Sequence, residues 1–151
     1  KKKLTKEQII EVCNGMITPL VLIGGPNEKA LADEISNKTV HPSVTNLCGS
    51  ISLNQSAYLV KKSAFVLTND TGIMHIAAAY QKKIVSFWGC TKPSIGFAPL
   101  VTPEKSKMLL SKKSNYPCSK HGKYCRYGCR GCIKDIHPQE ISKVVSEMCQ
   151  S

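Results

Sequence analysis

Residues 64–79 constrain this chain more than any other stretch. The apolar, β-branched run 64–68 has the pattern of a short buried strand. It breaks at Asn69-Asp70-Thr71-Gly72 and resumes as an alanine-rich helical run over 73–79. A strand, a glycine-bearing turn and a helix start, in that order, present free backbone N–H groups to an anion. In open α/β sheets such turns lie outside the carboxyl ends of the strands, where ligands settle.

The flanking chain reads as scaffold for that turn. Thr5-Lys6-Glu7-Gln8 fits a capping box, and Ile9, Ile10, Val12, Cys13 and Met16 supply the apolar face of a first helix ending near Gly15. Residues 19–23 read as a strand buried on both faces, followed by Gly24-Gly25-Pro26-Asn27. Asn27 is expected to cap a helix over 28–36, with Leu31, Ala32 and Ile35 inward. A strand over 44–47 ends at Cys48-Gly49, and Ser52 caps a helix over Leu53–Lys62. Beyond the opening stretch come a strand over Lys83–Trp88, a last strand over 107–110, and a helix started by Pro138 that carries Ile141, Val144, Val145 and Met148 on one side.

This alternation predicts a doubly wound α/β domain: a Rossmann-like parallel sheet with helices on both faces. One domain is expected over 1–151, with a Cys-rich insert at about 115–133 and a C-terminal helix at about 138–148. Gly24-Gly25, Gly72 and Gly89 follow three of the strands and are expected to line one cleft along a common sheet edge.

The formal net charge of +11 favours an anionic partner: nucleic acid, phosphorylated metabolites or a membrane surface. A solvated lysine-rich surface is the bland alternative. The lysines are scattered and only 6% of residues are aromatic, so stacking platforms are few and no nucleic acid is expected. No apolar run approaches the ~20 residues that cross a bilayer, and there is no signal-peptide pattern. The expected location is the cytoplasm, peripheral at the inner membrane if bound to it. The opening Lys1-Lys2-Lys3, with no Met, suggests a fragment of something longer.

Four segments carry a family resemblance: Gly24-Gly25-Pro26-Asn27-Glu28, Asn46-Leu47-Cys48-Gly49, Asn69 through the Asp70-Thr71-Gly72-Ile73-Met74-His75 run, and Phe87-Trp88-Gly89-Cys90-Thr91-Lys92-Pro93. Together they resemble glycosyltransferase family 9, the bacterial heptosyltransferases of lipopolysaccharide core synthesis. That family has the two-domain GT-B fold, and this chain looks like its C-terminal, nucleotide-sugar-binding half. The resemblance implies an ADP-sugar donor, ADP-heptose or a relative. Asp70 would contact donor sugar hydroxyls, Thr71, Gly72 and Ile73 would hold the diphosphate, and His75 would sit one turn along. Glu28 and the 47–51 loop, ending at Ile51, would approach the adenosine. Cys90 departs from the proline usual at its place.

The acceptor-side half, where the family's catalytic base lies, is absent from this sequence. So no catalytic residue is assigned, the lipopolysaccharide core acceptor is reached only through that half, and the chain alone is expected to be inactive. The strand that opens the family's C-terminal half, with its basic phosphate contact, is also absent. By family order it is interior, so a gap or an altered edge is expected. The bland readings are Asp70 as a helix cap and His75 as a packed helical residue.

Cys118, His121, Cys125, Cys129 and Cys132 form a cluster of metal-type ligands spaced Cys-x2-His-x3-Cys-x3-Cys-x2-Cys. Four of these five suffice for a structural zinc; unligated thiols and disulfides are the other readings, and no catalytic cofactor is expected. Cys13, Cys48 and Cys149 read as thiols without a role. Two other classes of function compete with the donor-binding half: a zinc-stapled basic module for nucleic acid or a protein partner, and an α/β nucleotide-binding domain of another enzyme family.

Overall fold

Strand β4 (Lys83–Trp88) has both faces buried, because Ile84, Ser86 and Trp88 alternate with Val85 and Phe87 and all five are below a tenth exposed. A computed structural model describes residues 2–113, 115–128 and 131–150 of the chain. In it β4 lies between β3 (Phe65–Asn69) and β5 (Ser106–Leu110), parallel to both. A parallel strand covered on both sides is apolar throughout rather than alternating, and that pattern made β4 legible.

The two faces of β4 feed two cores. Val85 and Phe87 pack with Val12 and Met16 at the end of α1 (Lys6–Asn14) and with Ile141, Val145 and Met148 of α5 (Pro138–Gln150). Ile84 and Trp88 pack with Val60 of α3 (Leu53–Lys62) and with Met74, Ala77 and Ala78 of α4 (Gly72–Ala79). Helices therefore cover both faces, as a doubly wound α/β domain requires.

The sheet itself is interrupted. β1 (Leu20–Leu22) pairs in parallel with β2 (Val44–Asn46), and among the described residues this ladder does not join the β3-β4-β5 ladder. The parallel sheet therefore comes as two ladders, in keeping with the gap or altered edge expected in it. Side chains bridge the break: Leu20, Phe65 and Leu67 all pack on the α1/α5 core.

Thr5 and Gln8 form the capping box of α1, and Ser52 with Gln55 forms that of α3. Asn27 does not cap α2 (Lys29–Lys38). It lies in a 3-10 turn, Pro26–Glu28, and the Glu28 carboxylate folds back to accept the Gly25 N–H at 2.8 Å. Ala32 and Ile35 are buried as expected, but Leu31 is exposed, because α2 covers only a two-strand edge.

Gln8 links α1 to the far end of the chain. Its Oε1 accepts the Thr5 N–H at 2.9 Å, and its Nε2 donates to the carbonyls of Ile133 (3.0 Å) and Ile136 (2.7 Å). Gln8→Leu keeps the bulk but strands the Thr5 N–H and the Ile136 carbonyl, each about 1–3 kcal/mol when unsatisfied, while the Ile133 carbonyl keeps the Ile136 N–H. Urea unfolding is expected to show a loss of about 2–4 kcal/mol; a midpoint unchanged from the parent would refute the link.

Candidate functional site

The turn after β3 is where the sequence motifs meet. Thr71 is the N-cap of α4, in extended backbone, and its hydroxyl lies 3.1 Å from that of Thr68. Asp70 is therefore not the cap. Its carboxylate instead receives the Lys2 ammonium at 2.6 Å, with the Asp70 side chain only 8% exposed. Leu4 donates its N–H to Asn69 Oδ1 at 3.3 Å, which seats the N-terminal segment across the end of β3.

The neighbouring residue, Lys3, pairs with Glu28 in the turn after β1. That ammonium holds the Glu28 carboxyl below the usual carboxylate range, through its hydrogen bond first and its charge second. Consecutive lysines thus span from the β1 turn to the β3 turn, so the two carboxyl-end loops stand side by side. Gly72 begins α4, is exposed, and a Cβ placed on it would meet nothing within 4 Å. Ile73 is half-buried and His75 exposed on the same helix; Ile51 is half-buried near the start of α3. The first N–H groups of a helix have no intrahelical acceptor, so this approach is open to an anion.

Gly89 is not part of that cleft. A Cβ there would stand 3.0 Å from the Ile133 backbone nitrogen, and residues 89–92 are all buried beneath the Cys-rich segment. A separate concavity lined by Glu11, Asn14, Gly15, Pro138, Gln139 and Ser142 lies between α1 and α5, away from the motif-bearing loops.

The second feature is a cluster of thiols. Cys118, Cys125 and Cys132 bring their sulfurs within 4.8 Å of one another. Burial and the hydrogen-bonded neighbours push the Cys132 thiol up to about 12. Burial also raises Cys125, but backbone N–H groups of Cys132 and Tyr127, with the neighbouring thiols, outweigh it and bring that thiol below its ordinary value. His121 is not in the group: it is exposed, with its ring 6.2 Å from that of Phe97. Cys129 lies outside the described residues. Cys90, which the sequence marked only as a departure, is fully buried against Cys125 and Cys132, and its carbonyl accepts the Cys118 N–H at 2.8 Å. Its distance from the 118–132 spacing hid it.

Lys92 is also buried beside these thiols and donates to the Ser111 carbonyl at 2.8 Å. Burial depresses its pKa, opposed by the charges of Cys132, Cys118, Asp135 and Cys90. Among the described residues no helix is long and apolar enough to cross a membrane.

Parallel strands, helices on both faces and a helix start exposed at the carboxyl edge define a doubly wound α/β domain. The comparisons with known proteins narrow it. The family model described as glycosyltransferase family 9 (heptosyltransferase) matches residues 8–128, and the chain belongs to that family. It is 28% identical over 124 residues to lipooligosaccharide heptosyltransferase 2 of Campylobacter jejuni serotype O:2, covering 81% of this chain and 38% of the relative. To the enzyme of the same name from Haemophilus ducreyi it is 34% identical over 96 residues, 60% of this chain and 26% of the relative. The structure of E. coli ADP-heptose lps heptosyltransferase II superposes with a TM-score of 0.78 at 21% identity, covering 99% of this chain and 42% of that one. A family 9 enzyme from Veillonella parvula gives a TM-score of 0.79 at 19% identity, over 99% and 43%. The chain therefore has the α/β fold of GT-B heptosyltransferases and spans less than half the length of these relatives.

Proposed function

We propose that this chain is the donor-binding half of a glycosyltransferase that moves a sugar from an ADP-sugar, ADP-heptose or a relative, onto lipopolysaccharide core. The observation that carries the reading is the meeting of Lys2, Asp70 and the start of α4 at one sheet edge. The diphosphate would lie on the N–H groups of Thr71, Gly72 and Ile73. The Lys2 ammonium, 2.6 Å from Asp70, would shift onto it and supply a cationic contact. Asp70 would then face donor sugar hydroxyls, while Glu28 and Ile51 flank the adenosine side and His75 the donor.

Two further supports come from relatives: a solved E. coli heptosyltransferase with ADP shares the fold at a TM-score of 0.69, and the E. coli neighbour above is named for ADP-heptose. The domain's contribution to transfer is positioning of the donor and stabilisation of the departing diphosphate. The acceptor and the base that activates it belong to the other half, working at the cytoplasmic face of the inner membrane. No metal is assigned a step.

Titration calorimetry of the chain with ADP and with ADP-heptose is the direct test. Saturable binding of both is expected, without transfer to a deacylated core acceptor. Turnover like that of intact enzymes, about 1–1000 per second, would refute the two-half reading. Salt-sensitive binding of RNA or DNA with none of ADP would replace it by the basic-module reading.

A further inference from the structure

We propose that Cys90, Cys118, Cys125 and Cys132 hold one zinc ion as a closed four-thiolate centre, stapling the segment between β5 and Ile133 to the end of β4. This centre is independent of the donor site.

The sulfur separations carry the argument. Cys132 Sγ lies 3.5 Å from that of Cys125 and 3.8 Å from that of Cys118. Two thiolates each ~2.3 Å from a zinc at the tetrahedral angle stand about 3.8 Å apart. Bonded sulfurs would be at about 2.05 Å. The three thiols thus already surround a point that a zinc would occupy. A tetrahedral ion needs a fourth donor; Cys90, buried against Cys125 and Cys132 but outside the group whose sulfurs lie within 4.8 Å of one another, is the described thiol that would close onto the ion. His121, turned toward Phe97 and exposed, is not it.

The surroundings fit a charged centre. Zinc with four thiolates carries a net charge of −2, and the buried Lys92 side chain lies beside it, next but one to Cys90. Backbone N–H groups of Cys132 and Tyr127 donate to the Cys125 sulfur, the outer-shell support that metal thiolates ordinarily receive. Gly128, at φ +80°, makes the turn that brings Tyr127 there. There is also a structural need. Between β5 and the short 3-10 turn Ile133–Asp135 the described residues form no helix or strand. A loop of that length in a compact domain normally needs another anchor. Zinc displaces the thiol protons to solvent, so its affinity falls as pH falls. With all four positions taken by sulfur, no site is left for substrate, and the role is structural.

The full chain, purified without chelator from zinc-supplemented cells, is expected to contain about one zinc, with X-ray absorption showing four sulfurs at about 2.3 Å. Cys90→Ser is expected to lower the shell to three sulfurs and one lighter atom, and to weaken zinc by about 100-fold or more in competition with a chelating dye, beyond the ~10–100-fold of outer-shell changes. Cys118→Ser should do the same. Iron in place of zinc, disulfides in a metal-free chain, or a four-sulfur shell that survives Cys90→Ser but not Cys129→Ser would each overturn the proposal. Should Cys90→Ser fail to fold, Cys129→Ser decides the fourth ligand: an unchanged four-sulfur shell is expected, and the loss of one sulfur would overturn the proposal.

Discussion

Trp88→Ala is expected to leave little of the chain folded at 37 °C. The indole is completely buried at the carboxyl end of β4, packed with Met74, Ala77 and Ala78 of α4 and with Val60 of α3, and rimmed by Phe97 and Val101. Its Nε1–H donates to the Ser86 hydroxyl at 2.9 Å, another group with no solvent contact. Truncation removes the largest side chain of that core and leaves a cavity between a sheet face and a helix that cannot both move in. Phe or Trp to Ala changes at such sites cost about 3–5 kcal/mol, against a total of about 5–15 kcal/mol for a domain. Among the described residues the sheet is divided into two short ladders, which places the chain toward the low end. Trp88→Phe should lose less, since it refills most of the volume. Leu100→Ala, at an exposed apolar residue, is expected to stay within about 0.5 kcal/mol. Thermal and urea unfolding followed by circular dichroism measures all three. A Trp88→Ala midpoint close to that of Leu100→Ala would mean that this face of the sheet is not the core.

What the sequence made legible and what it hid divide along a physical line. β4, α3 and the capping boxes at Thr5 and Ser52 rest on local signals, namely apolar runs and side-chain-to-backbone bonds three residues apart, and these need no tertiary information. The turn Asp70-Thr71-Gly72 was placed for the same reason. Side-chain direction was not legible. The Cys118–Cys132 spacing admits His121 as a ligand, but only the fold shows that ring turned toward Phe97 and Cys90 arriving from the loop after β4. Gly89 reads as one more loop glycine until Ile133 is seen packed against it. Leu31 follows helical periodicity but stands on an exposed face of α2. Lys2 and Lys3 look like dispersed surface charge, because their partners Asp70 and Glu28 lie far along the chain.

Gly72→Val is expected to abolish binding of both ADP and ADP-heptose while leaving the fold intact. A Cβ at Gly72 meets nothing within 4 Å in the empty domain, so the two added methyls project into solvent at the mouth of the turn. That same space is what a diphosphate must enter to reach the N–H groups at the start of α4. The helix dipole there supplies only about 0.3–1 kcal/mol, so most of the affinity must come from close, charge-assisted hydrogen bonds, which lengthen steeply when the backbone is shielded. Asp70→Ala separates the second role of the turn. Asp70 is not the helix cap, since Thr71 holds that place, and its removal frees the Lys2 ammonium for phosphate. ADP affinity should therefore hold or rise, while the preference for ADP-heptose over ADP falls, because the acceptor for the sugar hydroxyls is gone. Calorimetry on both variants, with circular dichroism to show that each is folded, reads the two effects apart. Equal losses for ADP and ADP-heptose on Asp70→Ala would remove Asp70 from the sugar side of the site, and full ADP binding by Gly72→Val would move the diphosphate away from this turn altogether.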